Sequence, residues 1–114
     1  MGNQYQPDRW IIVEIKQEGK EPWRRILSGW YGGYLGSDSW RLSSGITEVI
    51  EHDKYYEIHN ESDSVYTCYK SAHGVSGLMG GVLHNWQEQA KDRNDVAIAE
   101  IDVSELLGSD NYER

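Results

Sequence analysis

The sequence predicts an α+β domain in which a largely antiparallel sheet of five to seven strands carries one main helix on one face. Three observations support this class. One segment has a helical period, the segments around it alternate apolar and polar residues as strands do, and the order along the chain is strands, helix, strand. The chain has 114 residues, enough for one domain, 1–114, in which we expect 1–8 and 108–114 to be flexible.

The strands are predicted from runs of β-branched and aromatic residues that end at turn residues. In the first run Ile11, Val13 and Ile15 point to one face. Residues 18–22 contain Gly and Pro and supply a turn, so the second strand is expected to form a hairpin with the first. The predicted strands cover residues 9–17, 23–30, 39–43, 46–52, 55–60, 64–70 and 96–103.

The helix is predicted between Gly74 and Lys91, where apolar residues recur along one stripe. That stripe consists of Leu78, Met79, Val82, Leu83, Trp86 and Ala90. Ser76 is the expected N-cap, and residues 92–95 are the expected exit.

Three glycines lie inside this helical segment, although each costs a helix about 1 kcal/mol relative to alanine. They are Gly77, Gly80 and Gly81. Close approach of the helix to the sheet, or to a second copy of the chain, would explain them. Together with the excess of Trp and Tyr, they lead us to expect a homo-oligomer.

The net charge of −8 is concentrated in two segments, 46–66 and 86–114, which each carry −5. Such a surface argues against direct nucleic-acid binding and favours a basic protein partner. No apolar run resembles a signal peptide or approaches the roughly 20 residues that cross a bilayer. We therefore expect a cytoplasmic protein without a membrane partner.

Histidine and cysteine give little indication of a metal or catalytic site. The four histidines and Cys68 are at least five residues apart, unlike the close ligand pairs of zinc sites, so no metal or cofactor is expected. A catalytic Cys68 would need a base such as His59, whereas a cysteine within a strand is typically a small buried side chain. An enzyme is accordingly the third hypothesis for function.

The leading hypothesis is a non-enzymatic binding protein that blocks a host protein through an acidic strand face, with aromatic side chains as buried anchors. The residues expected to contact the basic partner are Glu48, Glu51, Asp53, Glu57, Glu61 and Asp63.

The alternative hypothesis is a homo-oligomeric sponge for a small nucleotide-derived signal. The loop 29–45 combines five glycines with Trp and Tyr, and nearby arginines could neutralise a phosphate. The entry to the helix has no acidic residue and could receive an anion, although it matches neither the P-loop nor the dinucleotide fingerprint. The residues expected to bind this ligand are Arg24, Arg25, Trp30, Tyr31, Tyr34, Trp40, Arg41, Gly74, Ser76 and Gly77.

Two runs of the sequence, GWYGGYLGSDSWRLSSGI at 29–46 and GLMGGVLHNW at 77–86, together with the tyrosine-rich strands between them, resemble small accessory proteins of bacteriophages and prophages. The resemblance extends over residues 9–103 and has no diagnostic motif, so it assigns no functional residue. It implies a protein of the host cytoplasm that interferes with a host defence system. Proteins of that kind include acidic inhibitors of host nucleases and sponges that sequester cyclic nucleotides.

Overall fold

The computed structural model describes residues 2–32 and 36–111, which form eight strands and two helices. The strands are β1 (Gln4–Tyr5), β2 (Arg9–Gln17), β3 (Trp23–Trp30), β4 (Ser39–Leu42), β5 (Ile46–Glu51), β6 (Tyr55–Asn60), β7 (Val65–Tyr69) and β8 (Val96–Ile101). The helices are α1 (Gly77–Lys91) and α2 (Ser104–Asn111), and a 3-10 turn covers Lys70–Ala72.

The strands form two sheets of four. The first sheet has the order β1-β7-β6-β5, and the second has the order β4-β3-β2-β8. All neighbouring strands are antiparallel except β1 and β7, which run parallel. The α+β class is therefore confirmed, whereas the expectation of a single sheet of five to seven strands is wrong.

The two sheets and α1 form three layers with β2 in the middle. The core between the sheets contains Trp10, Ile12, Ile26, Val49, Ile58, Tyr66, Cys68, Ile101 and Val103. The core beneath α1 contains Ile11, Val13, Leu27 and Met79. Because side chains alternate along a strand, the continuous apolar run from Trp10 to Val13 requires cover on both faces of β2. This requirement explains why a second sheet lies opposite the helix.

Helix α1 begins where the sequence predicts. The Oγ of Ser76 accepts a hydrogen bond from the backbone N–H of Met79 at 3.2 Å, which confirms Ser76 as the N-cap. Met79 and Ala90 of the predicted apolar stripe are buried, but Leu78 remains 37% exposed. The first turn of α1 therefore packs against the second sheet chiefly through Met79.

The glycines of α1 do not face the sheet. An ideal Cβ built on Gly77 or Gly81 would meet no atom within 4 Å, and one on Gly80 would meet only Val75 at 3.9 Å. The close approach of α1 to the sheet depends instead on Gly29 of β3, where a Cβ would lie 2.5 Å from the Sδ of Met79.

Both ends of the chain contain more regular structure than expected. The lead-in at 1–8 includes β1, and the indole N–H of Trp30 donates to the backbone oxygen of Gln6 at 3.1 Å. At the other end α2 covers Ser104–Asn111, which overlaps the segment 108–114 that we expect to be flexible. Within the described ranges, neither helix has the length and apolar character that a membrane span requires.

Candidate functional site

The first sheet has one buried face and one outward face. In β6, Ile58 is fully buried between the sheets, so its neighbours Glu57 and His59 point outward. Glu48 of β5 lies directly opposite His59 and shares this face. Because α1 packs on the second sheet, this outer face of the first sheet stays half-exposed.

A carboxylate between two imidazoles lies at the centre of the outer face. His52 Nε2 is 3.0 Å from Oε1 of Glu57, and His59 Nε2 is 2.7 Å from its Oε2. These hydrogen bonds, with that of His52 the larger influence, lower the pKa of Glu57 below its ordinary value. The ring of His52 also stacks on Tyr55 at a centroid distance of 4.5 Å. The carboxylate is therefore ionised and held in place.

No metal site accompanies this arrangement. Across residues 2–32 and 36–111, no group of three or more His, Cys, Asp or Glu side chains is placed to hold a metal ion. Cys68 is fully buried, and burial raises the pKa of its thiol, so the side chain stays protonated. The protonated, inaccessible thiol is unsuited to act as a nucleophile.

The six carboxylates of the expected acidic face are spread along the β5–β6 hairpin. From one end to the other they are Asp53 and Glu51, then Glu57 and Glu48, then Glu61 and Asp63. Since β6 has six residues, the two ends lie about 20 Å apart. Glu51 lies opposite the core-facing Tyr56 and so does not share the outward row. We call this set the acidic band.

The carboxylates of the acidic band differ in how far they are neutralised. Glu51 accepts a hydrogen bond from the ammonium of Lys70 at 2.7 Å, and Glu57 is held by its two histidines. Glu48 and Asp53 are exposed and form no ion pair with any residue that the structure describes. Glu61 is likewise exposed and without an ion pair to the described residues, so these three carboxylates are the most available to a partner.

The arginines and aromatics of the expected ligand site lie on two different faces of the second sheet. Arg24 and Arg41 face the first sheet, where Arg24 pairs with Glu14 at 3.0 Å. Arg25 and Trp40 face α1, and the Trp40 ring lies edge-on to Trp86 at 5.5 Å. Strand alternation separates these residues, so they do not form one site.

The remaining polar groups of that expected site are used within the fold. Gly74 donates its backbone N–H to Trp10 at 3.0 Å, and Ser76 caps α1, with Gly77 following it in the first turn. Tyr31 is 48% exposed and accepts a hydrogen bond from Arg9 at 3.2 Å. Tyr34 lies outside the described residues.

The structure contains a cleft that the sequence did not indicate. It has a volume of about 250 Å³ and is lined by Trp10, Tyr56, Lys70, His73, Asp102 and Val103. The Trp10 ring lies edge-on to Tyr56 and to His73, at centroid distances of 5.9 and 4.8 Å. An ammonium, an imidazole and a carboxylate thus surround an aromatic floor, a composition suited to a small ligand.

This cleft was missed because its residues come from distant parts of the chain. Trp10 belongs to β2 and Tyr56 to β6, whereas His73 follows the 3-10 turn and Asp102 follows β8. Asp102 also caps α2, since its carboxylate accepts the N–H of Ser104 at 2.9 Å, and that bond lowers its pKa. No local motif connects these positions in the sequence.

Comparison of the chain with protein-family models, with curated proteins and with solved structures found no match. Inference about function therefore depends on the charge, exposure and contacts described above.

Proposed function

We propose that the protein is a non-enzymatic binding protein that attaches to a basic surface of another protein through the outer face of its first sheet. One observation carries the proposal: this half-exposed face combines available carboxylates with aromatic rings. Tyr55 and Tyr69 lie opposite each other on it, with ring centroids 5.5 Å apart, and Glu48 and Asp53 lie nearby without an ion pair to the described residues. Interfaces that bind one partner selectively typically combine buried aromatic side chains with charged residues around them.

The dimensions of the face indicate how much of the surface a partner would cover. The strands contain two, six, six and five residues, and a rise of about 3.4 Å per residue with about 4.8 Å between strands gives a flat footprint of about 300 Å². A standard interface buries about 800 Å² on each partner, so the contact must also include the turns at both ends of β6. Asp53 lies in one of these turns and Glu61 in the other, which extends the acidic band over the whole contact. The resemblance to phage accessory proteins suggests a host defence protein as the partner.

The test compares two charge reversals of equal size. Glu48→Lys with Asp53→Lys changes the acidic band, whereas Glu18→Lys with Glu21→Lys makes the same change in the exposed turn between β2 and β3 of the second sheet. Reversal of Glu51 or Glu57 is avoided because it would also break the contacts with Lys70 or the two histidines.

Tagged wild-type protein and both variants are incubated with bacterial lysate, and the retained proteins are identified by mass spectrometry at several salt concentrations. We expect a stoichiometric host protein that binds the wild type and the turn variant, is lost with the band variant, and is weakened by salt. Equal retention by all three proteins would show that the acidic band is not the contact surface.

A second function, binding of a small ligand, is favoured by the cleft rather than by the glycine-rich loop. Its volume of about 250 Å³ is below the 300–1,000 Å³ of typical ligand pockets, so it suits one ring of a nucleotide rather than the whole molecule. Isothermal titration with mono-, di- and cyclic nucleotides tests this function. Binding that Lys70→Ala weakens would support the cleft, binding that Lys70→Ala leaves unchanged would place the ligand elsewhere, and flat titrations would exclude binding of these nucleotides.

A further inference from the structure

Strand β8 forms one border of the second sheet, and no other strand among residues 2–32 and 36–111 pairs with its outer edge. The N–H of Glu18 donates to the oxygen of Asp95 at 2.8 Å, which extends the β2–β8 ladder by one hydrogen-bonded pair. In an antiparallel ladder such pairs alternate, so Val96, Ile98 and Glu100 direct their backbone groups away from β2. The backbone N–H and C=O groups of these three residues therefore form the free edge of β8.

This edge lacks the features that usually prevent strand pairing. Exposed edges are commonly protected by lysine, proline or a bulge. Residues Val96–Ala99 are all apolar, and the register between β2 and β8 continues without a shift. One edge acceptor has a partner, because the side-chain amide of Gln87 donates to the oxygen of Ile98 at 3.1 Å. Strand pairing at Ile98 must therefore use the second lone pair of this oxygen or displace the Gln87 amide.

The face of β8 beneath α1 has room for side chains of an added strand. A cleft of about 400 Å³ lies between the C-terminal half of α1 and β8, and its lining includes Lys91, Arg93, Val96 and Ile98. Val96, Ile98 and Glu100 share this face because they lie opposite Gln17, Ile15 and Val13, and Val13 belongs to the core beneath α1. On the opposite face Ala97 and Ala99 present only methyl groups.

We propose that β8 pairs antiparallel with β8 of a second copy of this chain, which joins the two second sheets into one continuous sheet of eight strands. The edge is self-complementary when the two-fold axis passes through Ile98. Ile98 then meets its own copy, and Glu100 lies opposite Val96 of the second copy. Glu100 therefore reaches the cleft that contains Lys91 and Arg93 of the second copy.

The charge on this part of the surface supports a second copy as the occupant. Lys91 and Arg93 provide cations at one end of the free edge, where they pair with Glu88 at 2.8 Å and with Asp95 at 3.3 Å, and Glu100 provides a carboxylate near the other end. The exposed carboxylate of Glu100 has a contact of 3.7 Å with the imidazole of His73. Two-fold symmetry makes the pairing of opposite charges occur twice, once at each end of the joined strands. This inference does not depend on the proposed function, which uses the other sheet.

The test measures self-association by sedimentation equilibrium. Ile98→Pro removes an N–H that points to the free edge, so it blocks pairing without removing a hydrogen bond to β2. Glu100→Lys replaces two attractive contacts by two repulsive ones and should raise the dimer dissociation constant about tenfold or more. Adding Lys91→Glu to Glu100→Lys places a carboxylate opposite the new lysine, although Arg93 remains beside it, and should recover at least part of the lost affinity.

Glu48→Lys is the matched control, since it makes the same charge change on the first sheet and should leave the dissociation constant unchanged. Circular dichroism of each variant verifies that the fold is retained. A protein that stays monomeric up to about 1 mM would overturn the proposal. A dimer that withstands both Ile98→Pro and Glu100→Lys would place the contact elsewhere, and failure of the charge exchange to restore pairing would refute the register.

Discussion

Replacement of Gly29 by alanine tests how α1 is held against the second sheet. A Cβ at this position would lie 2.5 Å from Sδ and 2.8 Å from Cγ of Met79, and 3.1 Å from Oγ of Ser76. Met79 is fully buried and Ser76 almost so, and the atoms that the new methyl group meets belong to the middle of the methionine side chain rather than to its flexible end. The added methyl group must therefore displace the first turn of α1.

The expected destabilisation combines three contributions. Overpacking of a core by one carbon typically costs about 1–3 kcal/mol. Displacement of the turn also weakens the N-cap bond from Met79 to Ser76, which is worth about 1 kcal/mol. Alanine also lowers the conformational entropy of the unfolded chain relative to glycine, which offsets about 0.4–1 kcal/mol of the destabilisation. We expect the free energy of unfolding of Gly29→Ala to fall by about 1–3 kcal/mol, which corresponds to a decrease in Tm of about 4–12 °C.

Urea unfolding followed by circular dichroism measures this change, and Gly81→Ala is the matched control. A Cβ at Gly81 meets no atom within 4 Å and lies inside a helix, so this variant should be more stable than the wild type by about 0.5–1 kcal/mol. Met79→Ala removes the atoms that the new methyl group would meet, so Gly29→Ala should cost less in that background. A Gly29→Ala protein as stable as the wild type, with the same small effect in both backgrounds, would refute the proposed contact.

Three further predictions concern single side chains. Glu57→Gln should lower the free energy of unfolding by about 1 kcal/mol at pH 7, after allowance for partial exposure. Because the pKa of Glu57 is lowered from 4.5 in the folded state, this contribution is present above pH 4.5 and is lost as the pH falls through the folded-state pKa, so the difference between the two proteins in urea unfolding should shrink steadily as the pH is lowered below 4.5, and a difference that grows would contradict this. Cys68 should not react with a thiol reagent such as DTNB in the native protein, but should react fully in urea; rapid native labelling would contradict its burial. Trp10→Phe loses the 2.7 Å bond from its indole N–H to the backbone oxygen of Tyr69 and should destabilise the protein by about 2 kcal/mol in urea unfolding; an unchanged midpoint would contradict this.

The sequence predicts the individual elements well because their signals are local. Alternation and turn residues place β2 at Arg9–Gln17, β3 at Trp23–Trp30 and β6 at Tyr55–Asn60, each with the bounds that the structure has. The division into two sheets was missed because alternation shows which residues share a face, but not which strands are neighbours. The apolar run at 10–13 indicates cover on both faces of β2, whereas the alternation considered in the sequence identifies only the face of Ile11, Val13 and Ile15.

The candidate sites were harder to predict for two physical reasons. Arg24 and Arg25 were assigned to one ligand site because they are adjacent in sequence, although the two-residue period of a strand sends them to opposite faces. The cleft around Trp10 and Asp102 depends on contacts between segments far apart in the chain, which no local pattern reveals. The acidic segment 46–66 was recognised from charge alone, but the pairing of Glu57 with two histidines required the strand register.

The central position of β2 also sets an order for folding during synthesis. β2 can pair with β3 as soon as both have left the ribosome, whereas its other edge pairs with β8, where residue 12 lies opposite residue 101. Such a distant pairing closes a long loop and forms late. At about 5–20 residues per second, translation from the end of β3 to the end of β8 takes roughly 4–14 s. Throughout that interval the nascent chain exposes one edge of its most apolar strand, and this is the period in which a chaperone would be of most use.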